Sequence, residues 1–237
     1  MALSLVARAA DDFKKDFEDA NLLYDQGKYT EAKKLYDGIV LNGHYSAEVF
    51  YNLGNTEFRL DKGGAAILDY ERALSLSPNN PEVQANLAYA RAQTGAKIAE
   101  NDWRDSIIAN LGANSYCWMA AVTAWICIFA LAALFLKMRP SPTPLWLTAL
   151  CSAAVCGYAV FAIYHLEKND SVAIVTVKSA DARYAPADNS TLAATLPAGS
   201  RVWILERRGP WIYCRLPDNN AAWISADSIE KVHLQNS

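Results

Sequence analysis

Hydrophobic positions along the chain change period twice. From residue 13 to residue 94 they recur at helical spacing, between residues 116 and 164 they form two nearly unbroken runs, and from residue 171 they alternate with polar positions every second residue. The two runs, 116–136 and 145–164, carry no charged side chain. Each is about 20 residues long, enough for a helix to cross a bilayer. The segment 137–144, Lys-Met-Arg-Pro-Ser-Pro-Thr-Pro, is too short to fold alone. The runs are therefore predicted to form a transmembrane hairpin, which puts everything before and after it in one compartment. Just ahead, residues 100–112 place Trp103, Ile107, Ile108 and Leu111 at helical spacing and predict an amphipathic helix lying at the membrane interface. The alternating region contains VAIVTVK, TLAATLPAGSRVWILERR, GPWIYCRLP and AAWIS, short runs rich in β-branched and aromatic residues and separated by turn residues. It predicts a small all-β domain over 171–237.

The helical region repeats itself. Residues 13–46 and 47–80 align without a gap, and a third, partial copy over 81–94 predicts a capping helix. Small residues Ala20, Gly54, Ala32 and Ala66 let paired antiparallel helices touch, while Tyr36 and Tyr70 fill the space beside them. The second copy, with Phe50, Leu53-Gly54, Ala66, Tyr70, Ala73 and Pro78, resembles the tetratricopeptide repeat (TPR), and the first copy follows it with Ala20, Gly27, Tyr29, Ala32, Tyr36 and Ile39. The resemblance implies an all-α TPR solenoid over 13–95 with a concave groove that holds a peptide or partner segment. Its groove positions would be Phe17, Asn21, Tyr24, Tyr51, Asn55, Phe58, Arg59 and Tyr89. Asn21 and Asn55 stand where peptide-binding members hold a backbone or carboxylate. Phe17 and Tyr51 stand where a carboxylate clamp would need a lysine, which disfavours a C-terminal carboxylate ligand. The alternative is that these aromatic rings pack against the neighbouring helix.

The order of signals in the β region resembles the bacterial SH3-like (SH3b) module: Arg183-Tyr-Ala-Pro186, Pro197-Ala-Gly199, Gly209-Pro-Trp211 and the late Trp223. It implies a small barrel in which Gly199 supplies a turn with positive φ. Asp218-Asn-Asn-Ala-Ala222 replaces the glycines such modules often carry. Tyr184, Trp211 and Trp223 are candidate groove residues, with burial in the barrel core as the competing role. The aromatic motif with which eukaryotic SH3 domains bind polyproline is not found.

Charge and chemistry narrow the function. Residues 1–113 hold 12 Lys/Arg against 17 Asp/Glu and residues 165–237 hold 8 against 8, so neither part has the basic surplus that nucleic acid demands. Of the five cysteines, Cys117, Cys127, Cys151 and Cys156 fall in the apolar runs and Cys214 in an alternating strand. That spacing builds neither a disulfide framework nor a zinc site. His44, His165 and His233 stand apart from any nucleophile or phosphate loop, so no enzyme, metal or cofactor is expected. Lys137 and Arg139 in the turn place it in the cytoplasm by the positive-inside rule. Residues 1–10 are similar to the end of a signal peptide with Ala7 and Ala9 in an A-x-A pattern, an ordinary N-terminus being the alternative. The order of parts resembles the BatE-type proteins of the bacterial aerotolerance (Bat) operon. That resemblance implies an inner-membrane, two-pass scaffold with both soluble domains periplasmic, working beside von Willebrand A-domain membrane proteins and a MoxR-type ATPase. The alternative is an envelope-binding module whose SH3b domain holds peptidoglycan or cell-wall peptides while the repeats recruit an enzyme.

Overall fold

The computed structural model describes residues 2–98, 113–136, 143–169 and 171–233. They belong to two units, one made of Met1–Glu100 with Ser171–Ser237 and the other of Asn101–Asp170.

The first unit begins with five helices: α1 (Ala2–Asp25), α2 (Tyr29–Leu41), α3 (Ala47–Arg59), α4 (Gly63–Leu76) and α5 (Pro81–Thr94). Helix α1 starts well before residue 13. The stretch 2–25 has no Gly or Pro and is rich in Ala and Leu, so nothing in it stops helix propagation. Local chemistry sets other boundaries. The Ser46 hydroxyl accepts the Val49 N–H at 3.2 Å to start α3. The Asn80 side-chain Oδ1 accepts the N–H groups of Glu82 and Val83, at 3.0 and 3.3 Å, ahead of Pro81 at the start of α5. One core joins α1, α2 and α3 through Ala20, Ala32, Tyr36, Ile39, Val49 and Leu53. A second joins α3, α4 and α5 through Phe50, Ala66, Tyr70, Ala73, Val83 and Leu87. A Cβ on Gly54 would lie 2.8 Å from the Tyr70 ring, so only glycine lets α3 and α4 approach this closely.

The C-terminal part is an antiparallel sheet of β1 (Val172–Val175), β2 (Ser179–Arg183), β3 (Leu192–Pro197), β4 (Arg201–Arg208), β5 (Trp211–Arg215), β6 (Ala221–Ser225) and β7 (Ile229–Lys231). The strand order is β3-β2-β6-β5-β4-β1-β7. The outermost strands both feed one core, Leu196 from β3 and Ile229 from β7, with Val202, Ile212, Cys214 and Ile224 between them. The sheet therefore curls around its own interior. Burial pushes the Cys214 thiol pKa up to about 12.

The helices and the sheet are not separate bodies. Strand β1 is buried on both faces, which accounts for its unbroken VAIV sequence. Ala173 and Val175 enter the sheet core, whereas Val172 and Ile174 join Phe50, Ile67 and Leu68 in the helical core. Helix α4 comes close enough that a Cβ on Gly64 would sit 2.6 Å from the Val175 carbonyl oxygen. Ion pairs line this junction. The Arg201 guanidinium meets the Glu71 carboxylate at 2.7 Å, and Arg91 donates to the same carboxylate. Arg72 bonds Asp69 at 3.2 Å and Glu230 at 2.7 Å, and donates to the carbonyls of Lys231 at 3.0 Å and Val232 at 3.3 Å. Burial, aided by the Glu57 charge and opposed by Arg72, holds the Asp69 carboxyl well above the usual carboxylate range.

The second unit contains α6 (Ala113–Phe135) and α7 (Thr143–Asn169), which run antiparallel and touch through Tyr116, Ala159 and Ala162. The thiols of Cys127 and Cys156 point at the carbonyls of Ala149 and Ala120, at 3.6 and 3.7 Å, and so fill the seam between the helices. Trp118, Trp125, Phe129, Trp146, Leu150 and Phe161 face outward. Both helices are long and apolar enough to span a membrane. The interfacial helix expected over 100–112 and the turn residues 137–142 lie outside the described residues.

Candidate functional site

A cavity of about 480 Å³ opens on the helical part, lined by Tyr24, Tyr51, Asn55, Phe58, Arg59, Tyr70, Asn86 and Tyr89. Helix α3 supplies Tyr51, Asn55, Phe58 and Arg59, positions spaced by three and four residues and so on one face. Tyr24 comes from the last turn of α1, Tyr70 from α4, and Asn86 and Tyr89 from α5. The rings form the wall: Phe58 and Tyr89 lie 5.6 Å apart between centroids and Tyr51 and Tyr70 lie 6.2 Å apart.

Hydrogen bonds fix the polar floor. The Asn55 Oδ1 accepts the Tyr70 hydroxyl at 2.8 Å and the Asn86 side-chain amide at 2.9 Å. The Asn86 amide reaches the Tyr51 hydroxyl oxygen at 3.2 Å as well. The same arrangement stands one repeat earlier, where the Asn21 Oδ1 accepts Tyr36 at 2.5 Å and the Asn52 amide at 2.9 Å. Burial raises the Tyr36 phenol to about 12 and pushes Tyr70 higher still, so both remain donors across the physiological range. At the rim, a hydrogen bond with Tyr24 and the neighbouring phenols raise the pKa of the exposed Arg59.

Of the groove residues expected from the sequence, the fold gathers Tyr24, Tyr51, Asn55, Phe58, Arg59 and Tyr89 around this cavity. Phe17 instead packs on Phe13 and Tyr36, with centroids 6.2 and 6.1 Å away. Asn21 is occupied by its own ladder and lies outside the lining. The sequence reading missed Tyr70 as a wall residue, and Asn86 entirely. The repeat register holds a signal for the latter, since Asn52 and Asn86 occupy equivalent positions of successive copies.

On the sheet, Trp223 is 8% exposed, Trp211 is half-buried and Tyr184 is 68% exposed. Tyr213 pairs directly with Trp223, ring to ring at 5.0 Å, and the Arg208 guanidinium stacks 5.3 Å above Trp223. Trp211, two residues before Tyr213, shares that sheet face. Tyr184 lies beyond the end of β2.

A family model described as the TPR repeat matches residues 54–95. That match takes in the Gly54–Tyr70 contact and most of the cavity lining. PcrH from Pseudomonas aeruginosa is similar in its crystal structure at 17% identity, covering 63% of this chain and 92% of that one, with a TM-score of 0.35. PcrH in complex with the chaperone binding region of PopB is similar at 17% identity, covering 61% of this chain and 94% of that one, with a TM-score of 0.34. No curated protein matches the chain.

Proposed function

We propose that this chain is a non-enzymatic, membrane-anchored scaffold whose helical groove holds an extended segment of a partner protein. The cavity between α1, α3, α4 and α5 carries this reading. Its rings offer apolar contact, and Asn55, with its oxygen taken by Tyr70 and Asn86, keeps its amide hydrogens for a ligand's backbone carbonyl. The apolar hairpin is the anchor. The chain leaves the first unit near residue 98 and re-enters it at residue 171, so a hairpin crossing the bilayer twice returns it to the side where the helices already wait. With Lys137 and Arg139 cytoplasmic, that side is the periplasm. The sheet is then an SH3b-like module held against the repeats, and the order of parts fits a BatE-type role in aerotolerance beside von Willebrand A-domain proteins and a MoxR-type ATPase. A second reading, cell-wall binding by the sheet, is favoured by the adjoining Trp211, Tyr213 and Trp223 rings.

Site-specific photocrosslinking in the full-length membrane protein tests the groove. A crosslinker replacing Tyr51 should capture one defined partner, Asn55→Ala should abolish that adduct, and a crosslinker at the exposed Leu41 should not form it. An adduct indifferent to Asn55 would refute the groove. Retention of the protein on purified peptidoglycan, lost on Trp211→Ala, would favour the second reading.

A further inference from the structure

Every residue lining the cavity is neutral except one. Tyr24, Tyr51, Asn55, Phe58, Tyr70, Asn86 and Tyr89 surround the single guanidinium of Arg59. Arg59 is exposed and enters no ion pair among the described residues. The phenols around it reinforce its charge: the hydrogen bond with Tyr24 and the nearby Tyr29 and Tyr70 raise its pKa. This contrasts with Arg72 and Arg91, which are spent on Asp69, Glu230 and Glu71. Arg59, bonded to the Tyr24 phenol, is therefore a cation with no carboxylate partner among the described residues, in a site otherwise built for neutral contacts. A planar guanidinium is weakly hydrated and matches a carboxylate in charge and shape.

Resting on the groove reading above, we infer that Arg59 is the specificity residue of this site, selecting a partner segment that carries an aspartate or glutamate side chain. Asn55 and Arg59 stand one turn apart on α3, about 6 Å of helix rise, which equals the length of about two residues of extended chain. The acidic side chain thus falls within two residues of the carbonyl that Asn55 holds. Apolar or aromatic neighbours in the segment meet Phe58 and Tyr89. The carboxylate is that of a side chain and not of a chain terminus, since the proposed occupant is an extended segment that runs on from Asn55 past Phe58 and Tyr89. Long-range attraction contributes nothing to the choice, since residues 1–113 carry 17 acidic against 12 basic side chains. The selectivity is local to Arg59.

The test uses the full-length protein in lipid nanodiscs and a library of random nine-residue segments displayed internally on phage. Wild type should enrich segments with Asp or Glu at one fixed position. A synthetic enriched segment should bind about tenfold or more tightly than its Asn or Gln counterpart, the size expected for one charge-assisted contact. Arg59→Gln should erase that difference, Arg59→Glu should reverse it in favour of a lysine-bearing segment, and amidating the peptide C-terminus should change nothing. Absence of an acidic position, or the same tenfold preference in Arg59→Gln, would overturn the assignment to Arg59 while leaving the groove intact. Loss of affinity on C-terminal amidation would overturn the side-chain source. Failure of any enriched segment to weaken with Asn55→Ala would overturn the groove itself.

Discussion

Asparagine 55 illustrates how one side chain acquires a role from its neighbours. Its amide could face either way, but two donors, the Tyr70 hydroxyl and the Asn86 amide, take its oxygen and leave the nitrogen for a ligand. Tyr70→Phe removes one of those donors without changing the ring that fills the space over Gly54. It should cost about 1 kcal/mol in denaturant unfolding, the usual worth of one internal hydrogen bond, and should weaken segment binding further by freeing the Asn55 amide to rotate. Residues such as Gly54, Ala66 and Tyr70 were legible in the sequence because their sizes are dictated by contacts within one repeat. Asn21 was legible as a polar position but not in its use, since the donors that occupy it come from Tyr36 and Asn52 on other helices.

At the scale of elements, helix α4 faces in two directions. Tyr70 looks into the groove, while Glu71 meets β4 and α5, and Arg72, paired with Asp69 on α4 itself, meets β7. A helix pattern in the sequence shows only partners three or four residues away. Glu230 and Arg201 lie more than a hundred residues off along the chain, so the burial of that face could not be read in advance. Strand β1 had the same fate: VAIV was recognisable as a strand, but not that its second face closes the helical core. The buried Asp69 makes the junction sensitive to pH. Burial raises its carboxyl, so the folded state keeps the proton at pH values where the unfolded chain has released it, and stability falls as pH rises above the ordinary carboxylate range near about 4. Asp69→Asn should flatten that fall as pH rises from about 4, as read from unfolding midpoints at matched ionic strength. An unchanged slope would assign the pH dependence to other groups such as Glu57, which burial also raises.

Across the whole molecule, the segment between residues 98 and 171 divides a single folded unit in sequence without dividing it in space. Two apolar runs long enough to span a membrane were evident from composition alone. What the fold adds is that the flanks need each other: α4 and α5 leave an apolar face that β1 and Val232 cover, so the sheet stands where another repeat would stack. A scaffold built this way presents its groove and its sheet in a fixed relation. The most direct test is a distance measurement by pulsed electron paramagnetic resonance on the full-length protein in nanodiscs, with noncanonical spin-label residues replacing the exposed Lys34 on α2 and Asn189 between β2 and β3. Wild type should give one narrow distance distribution. Glu71→Ala should broaden it, because Arg91 and Arg201 then lose the carboxylate they share, a loss of about 3 kcal/mol or more at a buried pair. A broad distribution in wild type, unchanged by Glu71→Ala, would contradict the single unit.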